Sequence, residues 1–289
     1  MEEAYLSLEQ FQQHFHSELV CEEYLFHAKW PNGFCCPLCR NRQAYTTTTR
    51  RLPLYECSRC RYQSSATCET IIEGSRTSLT KWFTAIFLVT QPGGTSALNL
   101  SRVIQVTYKT AWLIMHKIRH AISTVDGDEL LSGIVRVNAS FYGRPHNPTI
   151  FQHPQEHALL AGCELDEHEA PSFIKLKHIP RSQMKNRSVA PSGISAFVSN
   201  HIEPVTTSLK IVTSRYSREA FQPLLAIVKQ TGKWINDTFR GLGCKHLQSY
   251  LDEYCYRYNK SRLGLPLFFN LVHSCTHTST ITYRTLTRT

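Results

Sequence analysis

The chain has 289 residues, a formal net charge of +10, a sequence isoelectric point near 9.1 and a mean hydropathy of -0.28. That length exceeds one small core and suits two or three compact units of globular composition. No apolar run approaches what a bilayer requires, and Met1-Glu2-Glu3 opens with neither a basic nor an apolar leader region, so membrane and secreted classes are set aside and a cytoplasmic location is expected.

The position of the charge carries more information than its total. Residues 29–125 hold thirteen Lys/Arg against three acids, whereas residues 126–253 hold fourteen against thirteen. A basic excess confined to one stretch is the footprint of a polyanion partner, most simply double-stranded DNA; a merely solubilising surface is the competing reading. Eleven cysteines in a long chain, four of them in two close pairs, argue for metal rather than disulfides.

Residues 1–29 read as a helical segment and 30–70 as a zinc ribbon. Cys36-Pro37-Leu38-Cys39 and Cys57-Ser58-Arg59-Cys60 are C-x2-C pairs with seventeen residues between them. Two intervening residues let a tight turn aim both sulfurs at one ion, and four thiolates close a tetrahedral shell. The expected cofactor is therefore one structural Zn²⁺, held by Cys36, Cys39, Cys57 and Cys60. Cys35 does not give the two-residue gap, and Cys21 and Cys68 read as ordinary buried thiols. Short β-prone runs flank Arg50 and Arg51, which fit an exposed basic hairpin turn that meets DNA.

Residues 75–125 read as a helix-turn-helix. A densely apolar helix over 79–89 is ended by Gln91-Pro92-Gly93-Gly94; a second spans 96–104, and after Gln105-Val106 a third starts at Thr107. In that geometry Thr107, Tyr108, Lys109 and Thr110 approach base edges, while Lys117 and Arg119 lie nearer phosphates. A helical linker is the alternative. Trp82 and Trp112 read as core. Further on, 133–137 reads as a strand, 158–165 with 172–177 as a hairpin, 192–201 as a helix, 209–213 as a strand and 246–258 as a closing helix. Residues 261–289 read as a basic, Thr-rich tail.

The chain resembles the ISXO-type zinc-ribbon insertion-sequence transposases, bacterial DDE enzymes related to the Merlin elements. The resemblance rests on Trp30-Pro31-Asn32-Gly33-Phe34, the two cysteine pairs, Lys81-Trp82-Phe83, Tyr108-Lys109-Thr110-Ala111-Trp112, His116-Lys117-Ile118-Arg119, and the stretches Gln248-Ser249-Tyr250-Leu251-Asp252-Glu253-Tyr254 and Arg257-Tyr258-Asn259. It implies an α+β multidomain chain: an N-terminal zinc ribbon, a helix-turn-helix, and a C-terminal RNase H-like (DDE transposase) domain over 130–260, in a bacterium and associated with the nucleoid.

DDE chemistry uses Mg²⁺ held by carboxylates, because a hard ion needs oxygen ligands that offset its charge. The family's first strand ends in an Asp-Glu pair; here Val137 is followed by Asn138 and Ala139. Its later strand runs into Thr-Asp-Gly; here Thr213 is followed by Ser214 and Arg215. The third segment, 221–230, holds no acid. Asp166, Glu167 and Glu169 read as a solvated turn, and Asp126, Asp128 and Glu129 as linker; His146, His153 and His157 are too irregularly spaced for a metal site. The expectation is a DNA-binding, transposase-derived protein that does not bind Mg²⁺ productively, with catalytic ligands none, adopted for targeting or regulation. The alternatives are an active transposase with relocated ligands and a decayed insertion-sequence product; a homodimer or another protein partner is left open.

Overall fold

The computed structural model describes residues 7–143, 153, 155–185, 187–214 and 217–288, which divide into two compact units: Met1–Ala121 with Pro266–Thr289, and Ile122–Leu265. In the first unit α1 (Leu8–His14) opens with a reciprocal cap. Ser7 Oγ accepts from the Gln10 N–H, and Gln10 Oε1 accepts from the Ser7 N–H. Ser17 caps α2 (Glu18–Lys29) through the Val20 N–H. The short strands β1 (Ala44–Thr47), β2 (Leu54–Cys57) and β3 (Gln63–Ser64) pair antiparallel in the order β1-β2-β3. Then come α3 (Leu79–Thr90), which buries Trp82, Phe83, Ile86 and Phe87, α4 (Ala97–Val103), capped by Ser96, and α5 (Tyr108–Asp128). From Ile122 onward α5 counts with the second unit.

The second unit is built on an antiparallel meander, β4 (Ile134–Tyr142), β5 (His157–Leu165) and β6 (Pro171–Ile179). A small hairpin, β7 (Met184–Lys185) with β8 (Ser188–Val189), leads into α6 (Pro191–His201) and β9 (Ser208–Val212). Two long helices follow, α7 (Gln222–Phe239) and α8 (Cys244–Arg262). The sheet order is β6-β5-β4-β9, with β9 parallel to β4 so that Val137 faces Ile211 and Asn138 faces Val212. Period-two alternation sends Val135, Val137 and Ala139 to one face, against Phe197 of α6. It sends Tyr142, Leu159, Ala161, Ile174 and Leu176 to the other, against Leu224 of α7 and Leu247 of α8. The sheet is thus covered on both faces.

Residues 261–289 are not a tail. The last residues of α8 are followed by α9 (Leu267–Thr276) and α10 (Tyr283–Arg288), and α9 is a core helix of the first unit. Phe268, Leu271, Val272 and Cys275 recur at i, i+3, i+4 and i+7 and are all buried. The Phe268 ring lies 5.0 Å from Phe11, 5.5 Å from Phe15 and 5.9 Å from Phe83. Charge and threonine content dominated the sequence reading and hid this apolar stripe. Among the described residues no helix is long and apolar enough to cross a membrane.

Candidate metal centre and nucleic-acid interface

Cys36 to Arg40 and Cys57 to Arg61 fold as two copies of one loop. In each, the N–H four residues on donates to the first cysteine's carbonyl, Arg40 to Cys36 and Arg61 to Cys57, both at 3.0 Å. That cysteine's own N–H donates to the carbonyl five residues on, Asn41 and Tyr62, both at 2.9 Å. Arg40 and Arg61 close the loops in the left-handed region, with φ of 61° and 60°. The two loops bring four sulfurs within 4.8 Å of one another, with Cys36 3.6 Å from Cys60 and Cys39 3.5 Å from Cys57. Zinc–sulfur bonds of about 2.3 Å imply a tetrahedral edge of roughly 3.8 Å, so the set fits one closed Zn²⁺ site. Cys35 turns its sulfur toward the Arg40 carbonyl, 3.9 Å away, and Cys68 lies 4.0 Å from the Tyr62 hydroxyl; neither joins the cluster.

Neighbouring groups pull the sulfurs in opposite directions. Asn41 Nδ2 reaches Cys57 Sγ at 3.5 Å and Ser58 Oγ at 2.9 Å, tying one loop to the other. Burial pushes the Cys57 thiol up, but the Cys60 and Arg59 N–H groups with the Asn41 amide and the Cys39 thiol outweigh it and bring it down to about 6. Cys60 accepts from the Tyr62 N–H, yet burial and the other three sulfurs push it up to about 12. Crowded thiolates repel, and a shared cation removes the conflict. Trp30, Phe34 and Tyr55 seat the ribbon on α2, where Tyr55 donates to Glu22 Oε1 at 2.8 Å. Burial holds the Glu22 carboxyl above its ordinary range against that hydrogen bond.

The expected DNA-contacting residues separate into two groups. Arg50 is exposed, and Arg51 is exposed with its Nε 4.0 Å from Glu18. Thr107 caps α5: its Oγ1 accepts from the Thr110 N–H at 3.2 Å and lies 2.9 Å from Thr110 Oγ1. Tyr108 and Lys109 stand exposed beside this cap. Lys117 and Arg119 do not reach phosphates as expected, being 8% and 2% exposed. The Lys117 ammonium donates to the Ile71 carbonyl at 3.0 Å and Thr280 Oγ1 at 2.7 Å. Every residue from Ile114 to Arg119 is buried, so this stretch of α5 has no solvent face to offer.

Asn138 and Ser214 sit on adjacent parallel strands: Asn138 pairs with Val212, the last residue of β9, and Ser214 is two positions beyond it. Ala139 points to the opposite face, among the α6 contacts. Asn138 is 1% exposed and commits both ends of its amide to the backbone of one residue before α7. Its Nδ2 donates to the Phe221 carbonyl at 2.9 Å, and its Oδ1 accepts the Phe221 N–H at 3.3 Å. Asn259 serves the edge of β6 identically, accepting from the Ile174 N–H at 2.8 Å and donating to the Ile174 carbonyl at 3.0 Å. A planar amide can imitate a neighbouring strand; a carboxylate cannot donate. Ser214 forms an isolated antiparallel bridge with Ser188. Arg215 and His146 lie outside the described residues.

The acids of the second unit are placed elsewhere. Asp166 receives the His168 and Ala170 N–H groups at 2.9 Å each, in the expected turn. Asp126 is not linker: it is 4% exposed within α5 and anchors a buried ion cluster. Lys177 Nζ lies 2.5 Å from Asp126 and 2.9 Å from Asp252, and Lys175 lies 3.3 Å from Asp126. Burial acts to lower the Lys177 pKa, but the two carboxylates hold it above its ordinary value. Burial and the neighbouring lysines, in turn, push His201 down to about 4. Glu156 pairs with Arg187 at 3.0 Å. Among the described residues, only the four cysteines form a metal-binding cluster; His153 and His157 do not.

Comparison with known proteins adds three findings. Residues 16–63 match the family described as a transposase zinc-ribbon domain, IS1595. Over 109 residues the chain is 29% identical to an uncharacterized protein in transposable element ISH50 of Halobacterium salinarum, a match covering 37% of each chain. The chain thus spans well under half the length of that curated relative. No solved structure matches it.

Proposed function

We propose that this relative of the IS1595-type zinc-ribbon transposases is a double-stranded-DNA-binding protein whose sheet unit is an RNase H-like scaffold without two-metal chemistry. The transposase-type ribbon over residues 16–63, with its four clustered sulfurs, carries the reading. Bound Zn²⁺ would fix the two loops against each other and contribute folding free energy to the ribbon. The pair α4 and α5 serves as the helix-turn-helix. Gln105, left-handed at φ 51°, makes the turn, and the Thr107 cap presents Tyr108 and Lys109 to a groove. The RNase H-like assignment is supported by the meander β4-β5-β6, the crossover through α6 and the parallel pairing of β9 beside β4.

The inactive reading rests on Asn138. The residue at the family's first metal position is a buried amide already occupied by the Phe221 backbone, and no acid begins α7. Relocated ligands gain no support from Asp126 and Asp252, because Lys175 and Lys177 neutralise them. The test is purified full chain with labelled duplex DNA, with and without Mg²⁺ or Mn²⁺. Retention of the duplex without strand cleavage is expected. Cleavage or strand transfer in Mg²⁺ overturns the inactive reading, and absence of retention overturns the DNA-binding one.

A further inference from the structure

The segment after α9 runs back along α5 in a steady antiparallel path. Ser279 hydrogen-bonds His120 through its backbone, Thr280 Oγ1 accepts from Lys117 at 2.7 Å, and the Tyr283 ring lies 5.8 Å from Trp112 with Lys109 Nζ 4.7 Å from its centroid. Each step forward in this segment is a step toward the start of α5. The path therefore delivers α10, with exposed Arg284 and Arg288, to the end of α5 that carries Thr107, Tyr108 and Lys109. Charge selects the occupant of this surface. Residues 74–121 contain no Asp or Glu, and neither do residues 266–289. Two acid-free segments from distant parts of the sequence are laid side by side, and at the start of α5 they bring exposed Lys109, Arg284 and Arg288 to one end of the first unit, where a phosphate backbone complements them.

We infer that α10 is the second half of the DNA-contacting surface whose first half is the start of α5, with Arg284 and Arg288 on phosphates and the Tyr283 ring holding α10 in place. This rests on the reading that α5 meets DNA. Tyr283 is a positioning residue: its edge-to-face contact with Trp112 and its place under the Lys109 ammonium fix where the two arginines lie. Phosphate contacts of this kind add affinity that does not depend on base sequence.

The test uses the full chain, a fluorescein-labelled mixed-sequence duplex of about 30 base pairs and a potassium chloride titration followed by anisotropy. Each phosphate contact contributes about 0.9 to the slope of log affinity against log salt, so Arg284→Ala with Arg288→Ala should lower the slope by about 1.8, and Lys109→Ala, whose ammonium neutralises DNA charge from the groove, by up to about 0.9. Over a fourfold rise in salt, wild type should then lose about twelvefold more affinity than the double variant. Tyr283→Ala should reproduce much of the double variant's loss and Tyr283→Phe should not. If Lys109→Ala lowers the slope while the arginine pair leaves it unchanged, α10 is not part of the surface and the α5 reading stands. If neither changes it, both readings fail together. A Tyr283→Ala protein with the wild-type slope overturns the positioning role.

Discussion

Replacing Asn138 with Asp preserves the outline of the side chain and, once the new carboxyl ionises, removes its only donor. The Phe221 carbonyl now 2.9 Å from Asn138 Nδ2 would face a carboxylate oxygen, in a place where the side chain is 1% exposed. The carbonyl keeps the Leu225 N–H, 3.3 Å away, so the cost falls on the buried carboxylate oxygen that faces it without a donor, about 1–3 kcal/mol, and burying the charge adds to it. The carboxyl escapes by keeping its proton: the neutral acid donates to the Phe221 carbonyl and accepts the Phe221 N–H, as the amide does. Its folded-state pKa is therefore raised above the unfolded value of about 3.9, and a rise of about two units corresponds to roughly 2.7 kcal/mol. The native state then binds the extra proton, so stability falls as pH rises from the unfolded pKa through the folded one and is level above it. Below pH ~4 the variant should match wild type, and above pH ~6 it should be less stable by about 2–3 kcal/mol. Urea unfolding of wild type and Asn138→Asp across that range isolates the effect, since titrations common to both cancel. Hydrogen exchange at the Phe221 amide should speed up in the variant at high pH. Equal stability at pH 7.5, with no difference in pH dependence, would refute the clamp. Selective restoration of the variant by Mg²⁺ at that pH would show that the cleft still assembles a metal site.

Cys57→Ser should lower bound zinc from one per chain by elemental analysis, and an unchanged content would remove Cys57 from the site. Lys177→Met leaves Asp252 buried without its cation beside Asp126, which keeps Lys175 at 3.3 Å, at a cost of about 3–5 kcal/mol for an ion pair broken from one side; an unaltered urea midpoint would mean the cluster is not buried as described. Phe268→Ala should destabilise the first unit by about 3–5 kcal/mol, the range for a buried aromatic truncated to alanine. If residues 266–289 were an appendage, the same change would be neutral in thermal unfolding.

The four-cysteine cluster was legible in the sequence because its rules are local: each C-x2-C loop closes within six residues through its own backbone bonds, and the ligand type excludes most other chemistry. Strands β4, β5, β6 and β9 and helices α3, α4, α5, α6 and α8 were legible in outline, since period and caps are read within a few residues; α7, α9 and α10 were not. Roles that depend on what a helix packs against were not. Lys117 and Arg119 read as surface cations from their place near the far end of a DNA-binding helix, and only the burial of α5 on every side from Ile114 to Arg119 turned them inward. The stripe of α9 was present in the letters, but charge counting passed over it, and only its packing on Phe11, Phe15 and Phe83 gives it a purpose. Asp126 looked like linker because its partner Lys177 lies 51 positions away, and Asp252 a further 75 beyond. Asn138 shows the boundary most clearly: the sequence by itself reports that a carboxylate is missing there, while the bidentate hold on Phe221, 83 positions on, exists only once the sheet has formed and the chain before α7 is brought against it.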